Sequence, residues 1–263
     1  LSGFTADWLA LREPADALAR AGTLVAPHGA GTRRVLDLGA GTGANLRYLA
    51  PRLGGRQEWL AVDADAALLG ALASRAAPPG IEVRTRRLDL ARDLGVLPLG
   101  RFDLVTAAAL LDLVSAAWLE ALAARCATAR ADVLFALTYD GRIEWSPADG
   151  ADARVRELVN AHQRTDKGFG PALGPAAAEA ARRAFASQGY RMRGARSDWV
   201  LGPDSRALQA ALVDGWAEAA LELLPSEAAT LAAWRRRRHA HLAAGASRLH
   251  VGHVDLAGEL PLQ

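Results

Sequence analysis

The residues best suited to chemistry lie in Val35-Leu-Asp37-Leu-Gly39-Ala-Gly41-Thr-Gly43, where three glycines alternate with small residues behind a short apolar run. Glycines at that spacing permit a tight turn and let a ligand approach the backbone beside the partly positive start of a helix. Twenty residues beyond Gly43, Asp63 closes a second apolar run. An acid there can accept hydrogen bonds from both hydroxyls of an adenosine ribose. Asp89 follows a third run, in Arg86-Arg-Leu-Asp89-Leu90. On one edge of a sheet, these polar points would outline a nucleoside pocket.

Such points need strands to carry them. Arg33–Gly39, Trp59–Asp63, Ile81–Leu88, Phe102–Ala107 and Val133–Thr138 read as strands, with helices at Thr42–Ala50, Asp65–Arg75 and Ser115–Ala127. The alternation argues for an α/β fold with a parallel sheet covered on both faces. Upstream, Ser2–Arg20 reads as two short helices, Thr5 capping Ala6–Arg12 and Pro14 ending that run. After Tyr139 the alternation stops. About thirty residues rich in Gly, Pro and polar groups run to Leu173, longer than most connections. His162, Asp166, Lys167 and Phe169 within it suggest a substrate loop. A helix at Ala176–Gln188, a strand at Tyr190–Leu201, amphipathic helices at Ser205–Leu223 and Ser226–Ala243 and a last strand at Arg248–Leu256 complete the chain.

Composition bounds the reading. The 263 residues are 51% hydrophobic and 23% charged with a formal charge of +2, which excludes global disorder and suits one domain, at most two. No window approaches the roughly 18 consecutive apolar residues of a membrane span, and the start lacks a basic-then-apolar signal pattern, so a soluble cytoplasmic protein with no membrane partner is expected. Cys126 is the only cysteine, which rules out an internal disulfide and fits a reducing compartment. Arg235-Arg-Arg-Arg238 with His239 and His241 is either a phosphate-contacting patch or a solvated helix face. In a late amphipathic helix the second is commoner, so nucleic acid is disfavoured as a partner. His250 and His253 fall on opposite strand faces and are no ligand pair.

Taken together, these motifs resemble those of the class I S-adenosylmethionine-dependent methyltransferases. Asp37-Leu-Gly39-Ala-Gly41-Thr-Gly43 matches their first motif and Val62-Asp63 their acidic second-strand end. Leu88-Asp89-Leu90 matches their adenine-contacting motif and Phe102-Asp-Leu-Val-Thr-Ala107 their fourth-strand motif. The resemblance runs from about Val35 to Tyr190. It implies a Rossmann-like three-layer sandwich whose seven-stranded, mostly parallel sheet has its last strand antiparallel between the fifth and sixth. N-terminal helices and helical or loop insertions would form a cap. It implies S-adenosyl-L-methionine as cofactor and S-adenosyl-L-homocysteine as product. Gly39 and Gly41 would line the methionine part and Asp37 would order the glycine turn, with Gly43 completing it. Asp63 and Ala64 would meet the ribose, Asp89 and Leu90 the adenine, and Ala107 the transferring methyl. One domain, 1–263, would divide into lid helices (1–32), a donor-binding core (33–139), a substrate loop (140–174) and a C-terminal half (175–263) with a helical insertion at 204–244. That insertion resembles the layout of methyltransferases of small carboxylic acids such as trans-aconitate.

Transfer from a sulfonium is an in-line displacement that needs positioning and exclusion of water, with a base only where the acceptor is protonated. His162, then Asp166 and Tyr139, are the candidate bases; His162 is equally a polar residue of a surface loop. Trp145, Lys167 and Phe169 are candidate acceptor contacts, the two aromatics alternatively plugging the core. Trp8 and Arg12 share a helix face, and Arg12 either reaches the donor carboxylate or packs its stem on Trp8. No metal is expected, because Asp140 alone stands where a catechol-type site would need carboxylates on two strand ends. The acceptor is expected to be a small molecule. Three alternatives stay open: a donor-binding protein without methylation activity, an RNA or protein methyltransferase, and an NAD(P)-dependent dehydrogenase, since Gly39-x-Gly41-x-x-Ala44 also fits the looser dinucleotide fingerprint.

Overall fold

The computed structural model describes residues 4–26, 31–75 and 77–261. Strands β1 (Thr32–Leu38), β2 (Arg56–Asp63), β3 (Ile81–Arg87), β4 (Leu104–Ala108) and β5 (Asp132–Ser146) run parallel. After them come β6 (Arg191–Arg196), β7 (Trp199–Leu201) and β8 (Arg248–Glu259), in the sheet order β3-β2-β1-β4-β5-β8-β6, with β7 also on β8. β8 is antiparallel to β5 and to β6, as expected of the last strand. The expected sixth strand is two, because Ser197 and Asp198 interrupt it: Ser197 N–H donates to His253 O and the Asp198 carboxylate accepts from His253 N–H.

Side-chain alternation along β1 divides the main core. Val35 joins a cluster with α2 (Ala44–Leu53) on one face, while Leu36 and Leu38 join α5 (Ala116–Ala129) and α7 (Ala177–Ser187) on the other. α3 (Ala66–Ala73) lies against β2 and β3. Caps set the helix starts: Asp65 accepts from Ala67 and Leu68 N–H, and Ser115 from Trp118 N–H.

Three expectations are corrected. The N-terminal segment is one helix, α1 (Ala6–Ala19), with Thr5 as its cap and Pro14 inside it. Pro14 removes the bond to the Ala10 carbonyl, and both residues are exposed, so water can meet that group. Ser2 lies outside the described residues. The stretch from Asp140 is not a loop to Leu173: β5 continues to Ser146 along β8, past two register shifts, and α6 (Asp152–His162) follows. Tyr139, Ile143 and Trp145 thereby enter a second core with α6, α8 (Arg206–Leu223) and α9 (Ala228–Ala243), against which Trp8 and Leu11 of α1 pack. Finally, Arg235, Arg236 and Arg237 lie on the expected exposed helix face, but Arg238 does not. Arg235 pairs with Asp214 at 2.6 Å and Arg237 with Asp149 at 2.5 Å. Arg238 is buried on Asp152 and the Pro147 carbonyl.

No helix among the described residues is long and apolar enough to cross a membrane.

Candidate functional site

β1 and β4 are neighbours, so the chain's strand order reverses beside β1. The carboxyl ends there leave a crevice, which in open α/β sheets is where ligands bind. A cleft of about 830 Å³ occupies it. Its floor is the turn after β1, from Gly39 to Thr42, and its sides are the ends of β2 and β3. Ala40 N–H donates to Val62 O and Leu88 N–H to Asp63 O, which carries the ladder past the strand ends and fixes the three turns relative to one another.

Asp63 is held from both sides. One carboxylate oxygen accepts from Gly41 N–H at 2.8 Å and the other from Asp65 N–H at 2.9 Å. A carboxylate oxygen has more than one acceptor site, so each can also meet a ligand hydroxyl in the cleft. Asp89 caps the short α4 (Leu90–Asp93) through Ala91 N–H at 3.0 Å, and its side chain stays exposed at the cleft mouth. Gly39, Gly41, Ala64, Leu90, Arg12 and Phe169 also line the cleft.

Other expected residues stand elsewhere. Asp37 is fully buried beneath the glycine turn. Its Oδ1 accepts from Asn45 at 2.6 Å, Asn45 in turn accepts from Arg20 at 2.7 Å, and burial pushes the carboxyl up to about 7 against both partners. Gly43 is the left-handed cap residue of α2, behind the cleft wall. Ala107 is buried in the core, and Ala108, Ala109 and Leu110 line the cleft in its place. Ala109 has φ of 51°, the left-handed region, a strained backbone of the kind found at functional sites.

The loop candidates are not brought together at the cleft. His162 ends α6, with Nε2 3.0 Å from Glu222 and Nδ1 3.3 Å from Lys167. Lys167 donates to Thr165 Oγ1 at 2.9 Å, and burial lowers its ammonium pKa. The Tyr139 hydroxyl donates to Asn160 at 2.7 Å, and burial raises its pKa further. Trp145 packs edge-on against Trp216 and Trp234. Asp166 accepts from Gly168 and Gly170 N–H and so shapes the turn that presents Phe169, whose ring meets Trp118 edge-on at 5.4 Å.

Sequence reasoning also missed residues. Asn45 carries a signal, since a buried acid such as Asp37 needs a nearby donor and Asn45 lies in the first turn of the adjoining helix. Asp16 carries none. It lies on the cleft wall, takes two hydrogen bonds from Arg12 (2.9 and 3.1 Å) and one from Trp199 (3.1 Å), and burial raises its carboxyl pKa. The Arg12 guanidinium lies 4.9 Å from the Trp199 ring centre, so Arg12 packs on Trp199, where Trp8 was one expected partner.

Comparison with known proteins places this geometry. Residues 35–131 match the family model of a methyltransferase domain, which spans the glycine turn, Asp63, Asp89 and β4. No curated protein matches the chain in sequence. Among solved structures, geranyl diphosphate C-methyltransferase from Streptomyces coelicolor A3(2) is 17% identical, with 94% of this chain and 77% of that one covered at a TM-score of 0.51. The YcgJ protein from Bacillus subtilis is 14% identical over 98% and 100%, at 0.48. The cyclopropane synthase MmaA2 from Mycobacterium tuberculosis is 14% identical over 93% and 82%, at 0.47. The chain thus has a Rossmann-like fold similar to that of a solved methyltransferase, and its residues 35–131 match the model of a methyltransferase domain.

Proposed function

We propose that the protein transfers a methyl group from S-adenosyl-L-methionine to a small-molecule acceptor in the cytoplasm, without a metal ion, releasing S-adenosyl-L-homocysteine. The observation that carries this is Asp63. It is a carboxylate at the second strand end, fixed by Gly41 and Asp65 N–H above a glycine turn and inside the matched domain. When bound, the donor supplies an electrophilic methyl on a positively charged sulfur, ready for in-line attack.

The chain's own residues would position it. Asp63 and Ala64 would hold the ribose, and Asp89, Leu90 and Ala91 the adenine. Gly39 to Thr42 would lie along the methionine part, with Asp37 and Asn45 stiffening the turn from beneath. Ala108 to Leu110, at the end of β4, would face the methyl. α1 and the Phe169 turn would cover the cleft, which excludes water from a reaction that gains from desolvation. A cleft of this size, lined on one side by α1 and the Phe169 turn, supports a small acceptor.

Calorimetric titration with S-adenosyl-L-methionine, S-adenosyl-L-homocysteine and NADH tests the reading. Binding of both sulfur nucleosides and not NADH is expected. NADH binding alone would make the glycine turn a dinucleotide site.

A further inference from the structure

Behind the cleft lining lie buried polar groups that donor binding does not use. After β4, the single turn Leu111–Leu113 carries Asp112, bracketed by Leu110 and Leu113 of the cleft lining. Asp112 is only 7% exposed. Its carboxylate lies near its own N–H and that of Tyr139, yet Oδ1 has no hydrogen-bonding partner among the described residues. His253 of β8, paired in register with Tyr139, is 5% exposed and its Nδ1 likewise has none. The His253 ring centre lies 6.1 Å from that of Tyr139 and 5.0 Å from that of Trp199. Trp199 carries Arg12 on its face, and Arg12 and Asp16 line the cleft. Arg12 acts electrostatically on both Asp112 and His253. Both unsatisfied groups therefore lie beside Tyr139, behind the lining and within the electrostatic reach of Arg12.

A buried polar atom without a partner is unfavourable, and in a native fold it calls for an explanation such as a catalytic role. Packing does not supply one, since an apolar residue at 112 or 253 would fill the same space. The candidates from the later loop fail for the opposite reason: His162 and Asp166 are already partnered.

We propose that Asp112 is the base that takes the proton of a hydroxyl or amine acceptor, seated between Arg12, His253 and the Tyr139 and Trp199 rings. The inference rests on the donor reading above. The acceptor's lone pair forms the bond to the methyl carbon as the carbon–sulfur bond breaks and its electron pair goes to sulfur. The O–H or N–H proton passes to Asp112 Oδ1, leaving a neutral thioether, a methylated acceptor and a protonated Asp112. Burial pushes the Asp112 carboxyl up to about 6, against the pull of the backbone N–H groups and Arg12, so the base is available near neutrality. Burial and Arg12 push His253 down to about 3, which keeps it a neutral hydrogen-bonding wall. The groups facing Asp112 are Arg12, with its partner Asp16, from α1 and Tyr139 from β5. Glu179, Arg182 and Arg183 of α7, which packs on the same turn, are exposed on its outer side.

The test follows label from methyl-tritiated S-adenosylmethionine into a panel of phenols, primary amines and carboxylic acids. It uses the native protein, Asp112→Asn and Asp112→Glu, with donor affinity measured by calorimetry alongside. Labelling of a phenol or amine is expected, with a rate that rises with pH through about 6. Asp112→Asn should lower that rate by about 100-fold or more at unchanged donor affinity, and Asp112→Glu should restore part of it. Native rates in Asp112→Asn, or labelling of carboxylic acids alone, would overturn the proposal. Failure of the native protein to bind donor would instead strike the donor reading. If no panel member is labelled, Asp112→Cys decides, probed with a small methanethiosulfonate. Modification that S-adenosylhomocysteine slows supports a seat open to the cleft; a thiol as inert as buried Cys126 overturns it.

Discussion

Asp37 shows how a residue can be legible in type and not in state. The Asp-x-Gly spacing marks it in the sequence, but its burial and its Asn45–Arg20 chain depend on α1 and α2 closing over it. Its carboxyl, raised to about 7, keeps in the folded protein a proton that the unfolded chain releases near pH 4. Stability from this group is therefore lost as pH rises towards and through 7. Asp112 acts in the same direction up to about 6, while His253 acts oppositely, since only the unfolded chain takes its proton below about 6.5. Those two offset one another at lower pH, and Asp37 dominates above. The ligand-free protein should lose on the order of 1 kcal/mol between pH 6 and 8, seen as a falling melting temperature. Asp37→Asn should flatten that fall, and parallel curves for the two proteins would refute the assignment. Asp63 is the complementary case, because its spacing alone located it. Asp63→Ala should weaken donor binding by about 2 to 3 kcal/mol in calorimetry, since charge-assisted contacts are lost and Gly41 is released. Unchanged affinity would count against the ribose role.

Among the elements, β1, β2 and β4 were readable because each carries a buried apolar run, and α3 and α5 because Asp65 and Ser115 cap their starts. β5 and α6 were not. Asp140-Gly141-Arg142 has the composition of a turn, and it stays in a strand only because β8 runs alongside and Arg142 binds Asp140 and Asp198. In α6 the apolar positions Val155, Leu158 and Val159 have helical spacing, but polar residues surround them and the apolar face is completed only by α8. The turn into α2 allows a direct test of element packing. At Gly43, with φ of 84°, an added Cβ would lie 2.9 Å from Leu72 Cγ, so both backbone and α3 oppose a side chain. Gly43→Ala should lower the urea-unfolding free energy by about 1 to 3 kcal/mol with the slope unchanged. Gly70, inside α3 with nothing within 4 Å of its added Cβ, is the control. Gly70→Ala should stabilise by about 0.5 to 1 kcal/mol, through helix propensity and a less flexible unfolded chain. Equal responses at the two sites would show that the φ and Leu72 argument is wrong.

At the scale of the whole molecule the place of the last strand and the presence of a helical cap were legible, and the cap's own core was not. The parallel sheet and its helices form one core, while the extended ends of β5 and β8 with β7, α6, α8 and α9 form another. α1 belongs to the second by packing and borders the first by position, since Trp8 and Leu11 pack on the cap while Leu9 and Arg12 line the cleft. Cap stability should then govern how firmly the cleft is covered. Trp234 is its centre, fully buried, edge-on to Trp145, with its indole N–H donating to Asp152 at 2.8 Å. Asp152 also pairs with buried Arg238, so one truncation loosens the packing and a buried ion pair together. Trp234→Ala should destabilise by about 3 to 5 kcal/mol. In hydrogen exchange, α6, α8, α9 and α1 should lose protection together while β1 to β4 keep theirs, because regions with separate cores open separately. Donor dissociation should quicken in the same protein although no residue touching the cleft has changed. Protection lost evenly across β1 to β4 would mean a single cooperative core, and the covering role of α1 would have to be sought in the sheet instead.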